Sequence, residues 1–204
     1  MDQGYSGAGF AVPQVFSDGN VDLGVIRDVS LCAEQLGYDS LWTQERIIGP
    51  SVSLEPLALL SYLAAITEKV RLGVSVLVLP LRSPPQLAKT LATLDVLSEG
   101  RLIVGVGLGG SDKDAPAYGF ESGRRVRRFN EALELMDAFW KNETVEFEGE
   151  LYNLSGGSMA PKPIQKPHPP VWFGARAEAA IKRAAKYGDG WMGAGSSGRD
   201  SFER

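Results

Sequence analysis

The pattern of apolar and polar positions is clearest between Leu72 and Gly110. An unbroken apolar run rich in valine, Leu72–Leu79, does not alternate with polar residues, which is typical of a parallel strand covered on both faces. Ser83-Pro84 then predicts the start of a helix, whose apolar side chains recur at helical spacing: Leu87, Leu91, Leu94 and Leu97. A second buried strand, Leu102–Val106, follows at once. This strand–helix–strand unit indicates an α/β protein with parallel strands.

The same pattern recurs along the chain and predicts six strands that alternate with helices. The predicted strands are Gly9–Val15, Asp39–Thr43, Leu72–Leu79, Leu102–Val106, Val171–Phe173 and Gly190–Met192. The predicted helices are Val21–Leu36, Leu54–Lys69 with Ser53 as its cap, Pro84 to about Leu97, Arg124 to about Trp140, and Ala177–Tyr187. Because no break in composition interrupts this alternation, we expect a single domain over residues 1–204.

Residues 141–170 depart from the alternation and are predicted to be an insertion within the domain. Thr144–Leu154 alternates between apolar and polar residues around a Glu148-Gly149 turn, which predicts a small β-hairpin. The proline-rich stretch PKPIQKPHPP then leads into the fifth strand. This segment therefore connects a helix to a strand by a longer route than the other units use.

Two architectures fit this order of elements: a doubly wound open sheet and a (β/α)8 barrel of the TIM type. A barrel needs eight strands and about 250 residues. The chain has 204 residues and ends with GSSGRDSFER, soon after its sixth strand. A barrel here is therefore expected to be incomplete, with about six of eight strands, and a C-terminally truncated fragment of a longer enzyme is one explanation.

Composition and charge exclude several classes of function. The formal net charge of −4 gives no basic field that would attract nucleic acid or an anionic membrane. The longest apolar run is about half a membrane span, and the first residues lack the layout of a signal peptide. One cysteine and one histidine are too few for a structural zinc site. We therefore expect a cytoplasmic protein with no metal site, nucleic-acid partner or membrane contact.

Four segments resemble the bacterial luciferase-like family of flavin- and F420-dependent oxidoreductases, and are most similar to its actinobacterial F420-dependent branch. They are LGYDSLWTQERI, VRLGVSVLVLPLRSPPQLAKTLATLDVLSEGRLIVGVGLGG, FEGELYNLSGGSMAPKPIQKPHPPVWFGA and AEAAIKRAAKYGDGWM. Together they cover nearly the whole chain in the family's order. The resemblance implies a (β/α)8 barrel that places its cofactor at the carboxyl ends of the strands, which is where sites of barrel enzymes lie.

The resemblance implies that Ser75 and Val76, in the third strand, bind the cofactor. In this family a bulge at this point contains a non-prolyl cis peptide that supports the ring system of the cofactor from behind. Small or β-branched residues such as these suit a backbone that lies against a flat ring. Without the resemblance, the same two residues indicate an ordinary core strand.

Glu45 and Arg46, at the end of the second strand, are the candidate catalytic residues. The F420-dependent sugar-phosphate dehydrogenases of the family have Asp-His where this chain has Glu45-Arg46. A guanidinium does not deprotonate at working pH, so Arg46 is expected to orient an anionic substrate or balance charge on the reduced cofactor. His168, the only histidine, precedes the fifth strand and so falls at the amino end of a barrel, away from the chemistry.

Glycines end the fourth strand, in GVGLGG, and they match the dinucleotide-binding pattern G-x-G-x-x-G. That pattern needs its last glycine to open a helix, whereas here SDKDAPAYG follows. We interpret the segment as a strand end where the cofactor approaches the backbone near Leu108 and Gly109. Bacterial luciferases have an arginine at the position of Leu108, so one of their phosphate contacts is missing here.

A phosphate site is expected where the fifth strand meets its helix. Gly174, Ala175, Arg176 and Ala177 lie at this junction, where unpaired backbone N–H groups and the positive end of the helix dipole attract anions. The family binds the cofactor phosphate at this loop. The basic tract RRVRR, Arg124 to Arg128, is a second candidate, and Arg128 is the preferred residue for reaching the phosphate or the acidic tail of F420.

The function implied is hydride transfer between F420 and a small organic substrate. One alternative is an FMN-dependent two-component monooxygenase, which needs a separate flavin reductase as partner. A second alternative is a non-catalytic flavin-binding protein, since the family includes shortened barrels that hold flavin without turnover. Family members commonly form homodimers, and we expect the same here.

Overall fold

The computed structural model describes residues 7–111 and 113–193. The segment GSSGRDSFER, on which the expectation of a truncated barrel partly rests, lies outside the described residues. Eleven strands are found in the described part of the chain: β1 Gly9–Ala11, β2 Val15–Phe16, β3 Ser40–Thr43, β4 Val52–Ser53, β5 Arg71–Val74, β6 Leu77–Val78, β7 Leu102–Gly107, β8 Val145–Glu148, β9 Asn153–Gly157, β10 Val171–Gly174 and β11 Gly190–Met192.

The order of the parallel strands decides between the two architectures. In the main sheet the strands pair in the order β1-β3-β5-β7-β10-β11, and every pair is parallel. This spatial order is also the order along the chain, whereas a doubly wound sheet reverses direction at a switch point. The prediction of a barrel is confirmed: the six strands form a curled half-barrel, and β6 pairs with β7 beside it.

Five helices cover the outer face of this sheet in the described part of the chain. They are α1 Leu23–Gln35, α2 Pro56–Ile66, α3 Pro84–Leu97, α4 Arg125–Lys141 and α5 Glu178–Tyr187. Asp22 caps α1 by accepting the N–H of Val25 at 2.9 Å. The cap of α2 is Glu55, which accepts the N–H of Ala58 at 2.7 Å, so the prediction that Ser53 caps this helix is wrong. Ser53 lies instead in β4.

Apolar side chains from the helices and from the outer face of the sheet form one continuous core. Leu41, Leu72 and Val106 on the strands and Leu60 and Leu91 on the helices are fully buried within it. Since burial of one such side chain contributes about 1.5–3 kcal/mol, this shared core is what holds the helices against the sheet. None of the helices in the described ranges is long and apolar enough to span a membrane.

Two tryptophans lie on the inner face of the half-barrel, beside positions that are occupied by glycine. Trp42 on β3 and Trp172 on β10 approach each other with ring centroids 5.5 Å apart. Gly73 is paired with Trp42 in the sheet, and a Cβ placed on Gly73 would lie 2.3 Å from Trp42 Cζ3. The absence of a side chain at Gly73 therefore leaves the space that the Trp42 indole occupies.

Two predicted strands are interrupted in the structure. The first, Gly9–Val15, divides into β1 and β2, and between them the buried Gln14 turns inward. Its side chain donates to the carbonyls of Gln44 and Leu54 at 2.7 and 2.6 Å and accepts the N–H of Gln44 at 2.7 Å. These bonds replace a strand ladder at this point. The third predicted strand divides into β5 and β6 around Ser75 and Val76.

The predicted hairpin is present as the antiparallel pair β8 and β9. Glu131 of α4, which is buried, accepts the N–H groups of Glu150, Leu151 and Tyr152 at 3.1, 2.9 and 3.3 Å. Because a single carboxylate binds the turn of the hairpin, the hairpin is attached to α4 at that end.

That residues 1–204 form one domain remains a prediction.

Glu34 of α1 binds the loop that joins α2 to β5. Its Oε1 accepts the N–H groups of Glu68, Lys69 and Val70 at 3.0, 2.7 and 3.0 Å. Burial raises the pKa of Glu34, but these three hydrogen bonds and the positive charge of Arg101 outweigh burial and lower it below the ordinary 4.5. The bonds therefore stabilise the fold above the ordinary carboxyl pKa and are lost as the pH falls through the lowered value.

We predict that Glu34→Gln lowers the free energy of unfolding at pH 7 by about 1–2 kcal/mol, because hydrogen bonds to a charged acceptor become neutral ones. The difference from the original chain should shrink as the pH falls below the carboxyl range. Urea unfolding at a series of pH values measures both effects. Glu68→Gln, at an exposed carboxylate on the same loop, is the matched control and should change little. Equal stability of Glu34→Gln and the original chain at pH 7 would contradict the argument.

Candidate functional site

A cleft of about 830 Å³ opens at the carboxyl ends of the parallel strands. We call it the strand-end cleft. It brings together eight of the eleven site residues expected from the sequence: Ser75, Val76, Leu108, Gly109, Gly174, Ala175, Arg176 and Ala177. Trp42, Gln44, Gly107, Arg125, Trp172 and Met192 are among its other lining residues. These come from β3, β7, β10 and β11, from the segments that follow β3, β5, β7 and β10, and from the start of α4.

Val76 forms the floor of this cleft. The Ser75–Val76 peptide bond is cis, as the family resemblance implies, and Ser75 N donates to Thr43 O at 2.8 Å. The Val76 side chain lies over two glycines: a Cβ placed on Gly107 would be 2.4 Å from Val76 Cγ2, and one on Gly174 would be 2.8 Å from Val76 Cγ1. Val76 can take this place only because β7 and β10 lack a side chain at these two positions.

The amino end of α5 lies at one side of the cleft. Ala177 is the N-cap residue of α5, and no side chain caps this helix. Its first N–H groups are therefore available to an anion, with the positive end of the helix dipole behind them. Arg176 is exposed immediately before the cap and lines the cleft. This arrangement is suited to a phosphate or carboxylate group.

The basic tract at the start of α4 contributes Arg125 rather than Arg128 to the cleft. Arg128 is 4% exposed, donates through Nη2 to the carbonyl of Glu121 at 2.9 Å and lies over the ring of Phe120. It does not line the cleft. Arg125 does, and its Nη1 donates to the carbonyls of Gly109 and Gly110 at 3.3 and 3.1 Å.

The two candidate catalytic residues lie outside the strand-end cleft and differ in their surroundings. The Glu45 side chain is 4% exposed and forms an ion pair with Arg82. Arg46 is exposed, and its nearest hydrogen-bond partner among the described residues is the hydroxyl of Ser51 at 3.5 Å. His168 also lies away from the cleft, between Asp137 and Asp189 and beside the ring of Trp140.

Charges around Glu45 shift the pKa values of two neighbours. Burial lowers the pKa of Arg82, but the carboxylates of Glu45 and Glu55 outweigh burial and raise it. Burial raises the pKa of Tyr118, and the negative charges of Glu45 and Asp114 raise it further against the opposing effect of Arg82. At neutral pH Arg82 is therefore a fixed cation and Tyr118 a neutral phenol.

Trp42 and Trp172 were missed by the sequence reasoning, and Arg125 was included in the candidate basic tract but Arg128 was preferred to it. Alternation along β3 and β10 could have indicated that the tryptophans face the inside of the half-barrel. Trp42 is next to the buried Leu41 and Trp172 is next to the buried Phe173, and adjacent residues of a strand point to opposite faces. Nothing in the local sequence separates Arg125 from Arg128, because that choice depends on how the helix is rotated against the core.

Comparisons with known proteins fit this geometry. Residues 9–204 match the family model for luciferase-like monooxygenases. The chain belongs to this family. It is 34% identical over 188 residues to a protein named F420-dependent glucose-6-phosphate dehydrogenase from Kineococcus radiotolerans, which covers 88% of the chain and 55% of that relative. The chain spans about half the length of the curated relatives it matches.

Solved structures of two other proteins have the same fold. Monooxygenase RslO1 from Streptomyces bottropensis superposes with a TM-score of 0.83 at 27% identity, over 96% of this chain and 62% of that one. An F420-dependent secondary alcohol dehydrogenase in complex with an F420–acetone adduct gives 0.78 at 23% identity, over 92% and 57%. The second likeness supports the barrel fold alone.

We predict that Gly107→Ala lowers the free energy of unfolding by about 1–3 kcal/mol, because the new methyl group would overlap Val76 and force it to move. Gly110→Ala is the matched control, since a Cβ placed on Gly110 meets no atom within 4 Å. Urea unfolding of both variants tests this. The account of the cleft floor fails if Gly107→Ala is as stable as Gly110→Ala.

Proposed function

We propose that this chain contains the cofactor-binding part of an F420-dependent oxidoreductase that transfers a hydride between the deazaflavin and a small organic substrate. The observation on which the proposal rests is the strand-end cleft, where Val76 and seven other expected site residues from separate parts of the sequence meet. The name of the relative from Kineococcus radiotolerans favours F420 as the cofactor. When bound, F420 supplies a ring that accepts or releases a hydride, which is two electrons and one proton.

The residues of the chain have distinct tasks in this proposal. Val76 supports one face of the ring, while Trp42 and Trp172 limit how deep it can enter. Arg176, Arg125 and the N–H groups at the start of α5 bind the phosphate of the cofactor. The substrate would then bind over the face of the ring that Val76 leaves open.

An FMN-dependent monooxygenase is the second candidate, favoured by the likeness to monooxygenase RslO1. It would use the same cleft and obtain reduced flavin from a separate reductase. Arg125 and the start of α5 suit the phosphate of either cofactor, because both sites recognise negative charge rather than the ring. A non-catalytic flavin-binding protein also fits the cleft, and measurements of turnover distinguish it.

Titration of the purified chain with F420 and, separately, with FMN tests the proposal. We expect F420 to bind with a Kd in the micromolar range, of order −8 kcal/mol, and more tightly than FMN. Binding is followed by calorimetry, and turnover by the loss of the visible absorbance of oxidised F420 with a panel of alcohols and sugar phosphates. Binding of FMN without binding of F420 would remove the first candidate in favour of the second. Cofactor binding without turnover of any substrate would favour the non-catalytic protein.

We predict that Arg176→Gln weakens cofactor binding about tenfold, because a hydrogen bond to a charged group contributes about 1.5–3 kcal/mol. The loss should diminish at high salt, which already screens this exposed charge. Arg27→Gln on α1 is the matched control. Arg27 is an exposed arginine, and its one ion pair within the described part of the chain is with Asp28 at 3.4 Å. Equal affinity of the two variants would show that the phosphate does not bind at this junction.

A further inference from the structure

A group of three charged side chains lies beside the strand-end cleft. Glu45 follows β3, Arg82 follows the single turn after β6, and Glu55 is the cap of α2. Arg82 Nε donates to Glu45 Oε1 at 2.6 Å, and Arg82 Nη2 donates to Glu55 Oε1 at 2.8 Å. Arg82 Nη2 is also paired with Glu45 Oε1. One guanidinium therefore joins the end of a barrel strand to the start of a helix.

The second oxygen of Glu45 binds the main chain. Glu45 Oε2 accepts the N–H of Val78 in β6, so both oxygens of this 4% exposed carboxylate are bonded. A group that gives or takes a proton during a reaction must reach the substrate or the cofactor with one atom, directly or through one water. Both atoms of Glu45 are already used inside the protein, and Glu45 does not line the cleft. The hydrogen bonds of Glu45 therefore indicate a structural role for this carboxylate rather than proton transfer.

The bond to Val78 connects Glu45 to the floor of the cleft. β6 has only two residues and pairs with β7 at Val106 and Gly107, so few ladder hydrogen bonds hold it. Val76 lies two residues before Val78, and its side chain rests over Gly107 and Gly174. An additional bond at Val78 therefore limits movement of the segment that contains Val76.

We propose that Arg82, acting through Glu45, is a positioning residue that fixes Val76 at the floor of the cleft, and that Glu45 is not the acid or base of the reaction. This inference rests on the proposed function for its effect on the cofactor. Its effect on the main chain is independent of any cofactor. Arg82 holds the Glu45 carboxylate in the orientation that accepts the Val78 N–H, because its guanidinium offers two donors in a fixed plane. A flexible or neutral side chain at position 82 lacks this pair of donors.

The first measurement needs no ligand. Amide hydrogen exchange of the segment around Val78 is compared in the original chain, Arg82→Met and Arg82→Lys. We expect Arg82→Met to increase exchange in this segment about tenfold or more, because the buried carboxylate loses its charged donor and no longer fixes the Val78 N–H. Arg82→Lys should restore part of the protection. Arg27→Met, which removes an exposed arginine from α1, is the control and should leave the segment unchanged.

The second measurement separates positioning from proton transfer. Glu45→Gln keeps an oxygen for the Val78 N–H, so we expect its kcat to stay within about threefold, its pH profile to keep its shape and its Kd for cofactor to rise moderately. Loss of a general acid or base would instead lower kcat by about 10²–10⁴ and remove one limb of the pH profile. That result, or unchanged exchange at Val78 in Arg82→Met, would overturn the inference.

The outcomes also separate this inference from the proposed function. If the original chain binds neither F420 nor FMN, the proposed function fails while the exchange experiment still decides the role of Arg82. If the original chain binds a cofactor and Arg82→Met binds it equally well, the positioning role fails while the proposed function stands. Should Arg82→Met not fold, Arg82→Lys and Glu45→Gln provide the same comparison. Arg82→Lys keeps a positive charge beside Glu45, and Glu45→Gln keeps an oxygen for the Val78 N–H.

Discussion

The strand-end cleft depends on the contact between one valine side chain and two glycines. Val76 lies in the gap between β5 and β6 and occupies the space that side chains at Gly107 and Gly174 would fill. Three consecutive strand–helix units of the half-barrel meet at this point. The unit of β5 and β6 provides Val76, β7 provides Gly107 and β10 provides Gly174. The shape of the cleft is therefore set by the main chain of the sheet, and the surrounding loops add the charged groups.

Periodicity in the sequence was sufficient to predict the class of fold and most of its elements. The apolar runs predicted all six strands of the half-barrel, and a strand such as β7 is recognisable without tertiary information because it is buried along its whole length. The break after β5 could not be read from Leu72–Leu79, since Ser75 and Val76 are compatible with an uninterrupted strand. Only the family resemblance indicated it. The choice between barrel and open sheet likewise required the strand order.

The site was predicted best where it consists of backbone and least well where it depends on long side chains. Leu108, Gly109 and Gly174 are placed at the cleft by the ends of their strands, which local sequence patterns can indicate. The arginines are different, because a guanidinium can lie on either side of its helix. Packing directs Arg128 into the protein over Phe120 and Arg125 towards the cleft. Glu45 was assigned to chemistry from the family resemblance and its place at the end of a strand, whereas its bonds are to Arg82 and Val78, distant along the chain.

The indoles of Trp42 and Trp172 have a spectroscopic consequence. Both lie on the boundary between the strand-end cleft and a second cavity towards the amino ends of the strands, so the pair forms a partition inside the half-barrel. A chromophore bound above this partition would be only a few ångströms from two emitting donors. Resonance energy transfer over so short a distance is nearly complete. A bound molecule that absorbs where indoles emit would therefore quench the fluorescence of Trp42 and Trp172.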